Sequence, residues 1–220
     1  MSYSIDDVKA QVRICAGKAI ESEPMLTLLD SYSGDGDMGF SVQKGSYALL
    51  SMIESDCSDD IGSFFNNCGI VFNKTAASTI GTLISSCFFM LGIKLCGMTE
   101  LSDHDILMIP EYMSVALMMR GNASVGDKTI LDALVPFSNE FVKTYSRCRD
   151  LHTALCEGAK AAKLAAKATK GMIATIGRAK WIGERSREYP DAGAVLCALI
   201  VGAMAESEAE DCYKLPVYEA

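Results

Sequence analysis

The sequence predicts an all-α protein: a single antiparallel barrel or bundle of about eight helices, with the functional residues in loops at one end. Three observations carry this. Apolar residues recur at helical spacing nearly throughout, and no run keeps the alternation of a strand. Helix start and stop signals follow one another across short loops, which makes neighbouring helices antiparallel. No linker, Pro/Ser-rich segment or clear repeat divides the chain, so residues 1–220 read as one domain, loosely held from about 207 onward.

Ser4, with Asp7 three residues on, caps a helix running to about Glu21. Pro24 starts a short helix, Met25 to about Ser31, which delivers Asp30 to a glycine loop. A helix from Phe40 to Ser55 follows, then one from about Asp60 to Lys74. Thr79 to Leu95 is apolar on nearly every side, the pattern of a central, buried helix. Ser102 caps the next, with Asp105 at its third position and Gly121 at its end. Asp127 is read as the cap of a helix from Lys128 to about Arg147. Leu151 to Lys170 is amphipathic, with small packing residues such as Ala154, Ala159 and Ala162. Pro190 and Asp191 open the last helix, which ends near Glu206. Loops 31–41, 121–129 and 171–193 hold the unusual residues; gathered at one end, they form one site.

Half of the residues are hydrophobic (50%), enough to bury a substantial core. A net charge of −8 argues against a nucleic-acid surface. Nine cysteines include no CxxC pair and there are only two histidines, which argues against a zinc site. The N-terminus lacks the basic and apolar regions of a signal peptide, and the most apolar run, about Thr82 to Ile93, is too short to cross a bilayer. The reading is a reduced, cytoplasmic protein with no membrane contact, its cysteines mostly small core residues.

The most informative stretch is Asp30-Ser31-Tyr32-Ser33-Gly34-Asp35-Gly36-Asp37-Met38-Gly39. Carboxylates this crowded repel one another unless a cation sits between them, and the glycines let the backbone curl them inward. Hard oxygen ligands suit Mg²⁺, which shares its remaining sites with water and substrate phosphates. The same stretch also reads as a solvated Asp-Gly turn capping the next helix. It is no EF-hand, because no glutamate follows in register, and no P-loop, because Phe40-Ser41 stands where Lys-Ser/Thr is required.

Gly126-Asp127-Lys128-Thr129 reads first as a helix cap. The segment from Gly171 to Ser186 holds Arg178, Lys180 and Arg185 in an otherwise acidic chain. It grips phosphate through charge-assisted bonds, or is simply a solvated loop. Trp181 is read as a packing anchor rather than a base stacker, and His104 and His152 as surface helix residues. Asp191-Ala192-Gly193 seats an anion on free backbone N–H groups or caps its helix.

Taken in order, these motifs are similar to those of the nucleotide-binding L subunit of dihydroxyacetone kinases. The resemblance rests on Asp30 with Gly34-Asp35-Gly36-Asp37, then Arg120-Gly121, Gly126-Asp127-Lys128-Thr129, Gly177-Arg178-Ala179, Gly183-Glu184-Arg185-Ser186 and Asp191-Ala192-Gly193. It implies an eight-helix antiparallel barrel. It implies two Mg²⁺ held by Asp30, Asp35 and Asp37 against the phosphates of ADP or ATP. Arg178 is the implied catalytic, phosphate-facing residue, with Gly121, Ile130 and Asp191-Ala192-Gly193 around the nucleotide.

Two stretches depart from the family pattern. Met38-Gly39-Phe40-Ser41-Val42 replaces His-Gly-x-Asn-Met, and Ala77-Ser78-Thr79-Ile80-Gly81-Thr82 replaces Gly-Gly-Ala-Ser-Gly-Pro over the phosphates. Ile80 thus stands for a serine, with Ser78 or Thr79 as substitutes. Since neither histidine suits covalent sugar binding, the resemblance implies a separate substrate-binding kinase subunit as partner. A phosphohistidine protein of a sugar phosphotransferase system is an alternative donor to ATP, and a homodimer is left open. Other readings are a regulatory nucleotide-binding module without turnover, a paralogue acting on another small polyol or acid, and a fatty-acid kinase subunit.

Overall fold

The computed structural model describes residues 2–207. The expectation of a loosely held tail from 207 lies almost wholly outside them. In chain order the elements are β1 (Ser2–Ser4), α1 (Ile5–Glu21), α2 (Glu23–Ser31), α3 (Met38–Ser55), α4 (Ile61–Thr75), α5 (Thr79–Lys94), β2 (Glu100–Ser102), α6 (Asp103–Gly121), α7 (Leu131–Cys148), α8 (Leu151–Ala168), a 3₁₀ segment (Arg178–Glu188) and α9 (Ala192–Glu206). The all-α class holds. Two short strands that period-2 alternation could not reveal do pair antiparallel, Tyr3 opposite Leu101, because three residues are too few to show a period.

The caps explain where most helices begin. Ser4 and Ser102 each form a reciprocal capping box with Asp7 and Asp105. Asp60, Ser78, Asp150 and Asp191 each accept a backbone N–H at the starts of α4, α5, α8 and α9. The helix expected from Lys128 instead starts at Leu131, and Asp127 does not cap it. Lys128 has a φ of 63°, which no helix accommodates.

Consecutive helices from α3 to α9 pack on one another, α1 packs on α3, and α9 returns to α1, so the contacts close a ring. Short α2 lies against α3 and α9. The helix predicted to be central, α5, keeps only Gly81, Ser85, Cys87, Leu91 and Gly92 buried, and Ile93 is 69% exposed. The most buried helix is α9, whose run from Ala192 to Leu199 is buried without a break. Its uniformly apolar sequence is that of a helix enclosed on all sides. Cys68, Cys87, Cys156 and Cys197 are buried, whereas Cys57, Cys96 and Cys148 are exposed. His152 is half-buried with Nε2 3.7 Å from Cys156 Sγ, not on an open face.

One core cluster positions the acidic loop. Leu26 and Leu29 of α2, Met38 and Val42 of α3, and Val195 and Leu196 of α9 pack together. Each such side chain contributes roughly 1.5–3 kcal/mol. Gly39 makes this packing possible: a Cβ there would lie 2.3 Å from the Glu23 carbonyl oxygen and 2.4 Å from Thr27 Oγ1. The glycine thus sets how closely α3 starts beside α2, and so where Asp37 stands relative to Asp30. Among the described residues no single helix is long and apolar enough to cross a membrane.

Candidate functional site

The three loops do meet. Residues from the acidic loop, from 120–131, from 176–181 and from the start of α9 line one cleft of about 610 Å³, with Thr79, Ile80, Thr82 and Leu83 of α5 as a further wall. Asp30 projects from the last turn of α2, and Asp35 and Asp37 from the loop that follows. One carboxylate oxygen from each lies within 4.8 Å of the others. Asp30 is half-buried and accepts the Met38 N–H at 3.2 Å; Asp35 and Asp37 are exposed.

Gly34 keeps this cradle open: a Cβ on it would lie 2.5 Å from Asp30 Oδ1. Gly36 carries the turn at a φ of 73°. Three hard carboxylates converging on solvent fit a divalent cation of the Mg²⁺ type in ligand chemistry and crowding.

Arg178, at the head of the 3₁₀ segment, forms an ion pair with Asp35 across the cleft mouth. Trp181 follows one turn later and is 87% exposed while lining the cleft, so it is not the packing anchor expected from its size. Gly121, Ile130, Asp191, Ala192 and Gly193 all line the cleft. Asp191 accepts the Ala194 N–H at 2.7 Å as the α9 cap. Burial pushes its carboxyl up to about 7; the bond from Ala194 and the charge of Lys128 work against that rise.

The two departing stretches divide. Met38 lines the cleft, whereas Gly39, Phe40 and Ser41 are not among the lining residues. Phe40 is exposed with the Lys44 ammonium over its ring. Ser78 accepts the Gly81 N–H at 3.2 Å, so its hydroxyl oxygen is engaged in capping α5, while Thr79 and half-buried Ile80 face the cleft. Gly81 is fixed by packing, since a Cβ would fall 1.8 Å from the Ala76 carbonyl oxygen.

A family model for the DAK2 domain matches residues 32–206. The chain belongs to the DAK2 domain family. This DAK2 domain is 34% identical over 189 residues to D-erythrulose kinase of Mycolicibacterium smegmatis, covering 84% of this chain and 32% of that protein. It is 28% identical over 174 residues to the Escherichia coli PEP-dependent dihydroxyacetone kinase, ADP-binding subunit DhaL, covering 79% of this chain and 82% of that subunit. In fold it is similar to the native dihydroxyacetone kinase of C. freundii, with a TM-score of 0.72 at 22% identity, covering 91% of this chain and 34% of that one. A complex of that kinase with AMP-PNP and Mg²⁺ gives a TM-score of 0.69. The DAK2 domain thus spans about a third of the erythrulose kinase and most of the E. coli subunit.

Two further residues shape the site, Asp132, which no sequence motif marks, and Lys128, which the sequence places only in a helix start. Asp132 is buried within the first turn of α7 and reaches back to accept the N–H groups of Gly126 at 2.6 Å and Thr129 at 2.7 Å. It, rather than Asp127, satisfies the turn before α7. Asp127 accepts the Ser124 N–H at 2.7 Å and is hydrogen-bonded by the Thr175 hydroxyl, which ties two of the site loops together. These bonds hold the Asp127 carboxyl below its usual range, the one from Thr175 first. The second is Lys128, a buried residue of the cleft wall itself. An acid at a helix start and a lysine after glycine are ordinary in sequence; only burial distinguishes them.

Proposed function

We propose that this DAK2 domain is a Mg²⁺-dependent, ADP- or ATP-binding phosphotransfer unit of a dihydroxyacetone-type kinase. The observation that carries it is the convergence of Asp30, Asp35 and Asp37 opposite Arg178 at the mouth of one cleft. Asp30, Asp35 and Asp37 would hold the metal, as two ions in this reading. A divalent cation held there would supply positive charge against the phosphates. Arg178 supplies a guanidinium that can bond phosphate oxygens in a bidentate fashion as charge redistributes. The start of α9 adds backbone N–H groups and the positive end of its dipole. Ile130 and Gly121 give the cleft apolar, close-approach walls.

The acceptor is a small ketose held by a separate substrate-binding subunit. His104 is exposed at the start of α6 and His152 lies against Cys156, so neither stands in the cleft to hold a carbonyl substrate. The donor is ATP, or a phosphohistidine protein that recharges bound ADP. The relatives' names and the AMP-PNP complex support the nucleotide and the reaction type.

Thermal melting tests the reading. A ligand bound only by the native state stabilises by roughly 2.7 kcal/mol at a hundredfold excess over its dissociation constant. ADP with Mg²⁺ is expected to raise the melting temperature, and ADP with a chelator to leave it nearly unchanged, since bare phosphates then meet bare aspartates. Equal shifts in both would contradict the metal-bridged site.

A further inference from the structure

Among the described residues Lys128 is the only buried lysine or arginine. Its ammonium donates to the carbonyl oxygens of Thr169 at 3.0 Å, Met172 at 3.3 Å and Tyr189 at 2.8 Å, and to that of Ser186. An ammonium has three protons, so these four acceptors exhaust it. Although Lys128 lines the cleft, its ammonium is engaged by these carbonyls and has no donor left for a ligand. Desolvation lowers the Lys128 pKa, as expected for a charge held among carbonyls rather than in water.

The four carbonyls lie at the two ends of one loop. Thr169 and Met172 stand at its start and Ser186 and Tyr189 at its close, with Gly177, Arg178 and Trp181 between. The loop base carries other clasps, Gly171 N–H to the Arg187 carbonyl at 2.9 Å and Ala174 N–H to Ser186 Oγ at 3.0 Å. Its outer part turns at Gly177 and Gly183, with φ of 65° and 56°, and reaches the acidic loop through the Arg178–Asp35 pair.

We propose that Lys128 is a positioning residue: its ammonium closes the base of the 171–189 loop and so aims Arg178 at the phosphates, without touching nucleotide itself. The inference rests on the nucleotide reading above for its ligand, and on the carbonyl cage alone for the closing of the loop.

A double-mutant cycle tests it, with Mg²⁺ and ADP as the calorimetric probe on wild type, Lys128→Met, Arg178→Ala and the double variant. Each single change is expected to weaken binding about tenfold or more, and the double variant no further than the worse single. Losses that multiply, or a Lys128→Met protein that binds as wild type does, would overturn the proposal. If Lys128→Met does not fold, Lys128→Arg takes its place, because it keeps charge and donors but misfits the cage. Amide hydrogen exchange without nucleotide separates the two readings. Lys128→Met is expected to speed exchange across 171–189 at least tenfold while leaving the α7–α8 core protected. Unchanged protection there overturns the positioning role even if wild type binds no nucleotide.

Discussion

Tyr32 and Tyr189 stack face to face, ring centroids 3.7 Å apart and planes within 6°. One ring belongs to the acidic loop and the other lies just before the Asp191 cap of α9, so the stack joins the acidic side of the cleft to the start of α9. An aromatic pair contributes roughly 0.5–1.5 kcal/mol beyond its buried area. Tyr32→Ala is therefore expected to lower the melting temperature modestly and to weaken Mg-ADP binding severalfold by unmooring Asp35 and Asp37. Tyr32→Phe, which keeps the stack, should do neither; calorimetry and melting on both variants check this.

Asp35→Asn should abolish Mg-dependent ADP binding and leave the fold intact. Asp35 and Arg178 are both about half exposed, at 49% and 57% of their side chains, so their ion pair adds little to stability. Removing one carboxylate from a crowded triad also relieves repulsion. Circular dichroism should match wild type, and calorimetry with ADP and Mg²⁺ should show no heat of binding. Retained affinity would remove Asp35 from the ligand set.

Much of this site was legible because it is local. Asp30, Asp35 and Asp37 fall within eight residues of chain, and the glycines between them mark the turn that lets them converge. Helix starts at Ser4, Ser102 and Asp191 were legible for the same reason, since a cap and its partner sit three residues apart. What sequence hid was long-range. Lys128 meets its carbonyls 41 to 61 residues away, and nothing near it signals that the helix is delayed to Leu131. The swap of roles between α5 and α9 has a similar cause. Both are apolar all round, and only the closed ring decides which is enclosed.

Ser78 and Thr79 are expected to separate cleanly. Ser78 caps α5, so Ser78→Ala should cost about 1 kcal/mol of stability and leave nucleotide affinity nearly flat. Thr79 is exposed toward the cleft. If its hydroxyl meets phosphate in place of the serine that Ile80 replaces, Thr79→Val loses a hydrogen bond to a charged group, roughly 1.5–3 kcal/mol. Binding should then weaken about tenfold or more with little change in melting. The reverse pattern would assign the phosphate contact to Ser78. Ile80→Ser is expected to cost stability, because Ile80 packs against the core cluster around Leu196.

The last prediction concerns pH. The Asp191 carboxyl is pushed up from 3.8 to about 7, chiefly by burial and further by the charge of Asp132, against the pull of Lys128 and the α9 N–H groups. The folded protein therefore keeps a proton that the unfolded chain releases above about 4. Between those values the unfolded state binds fewer protons, so this group's contribution is fully present at low pH and is lost as pH rises toward 7. Asp191→Asn keeps a capping oxygen for the Ala194 N–H and carries no charge at any pH. The melting temperature of the variant relative to wild type should accordingly climb from pH 5 to pH 8 and level off beyond. Parallel melting curves against pH for the two proteins would return the Asp191 carboxyl to the ordinary range and remove it as a source of pH dependence.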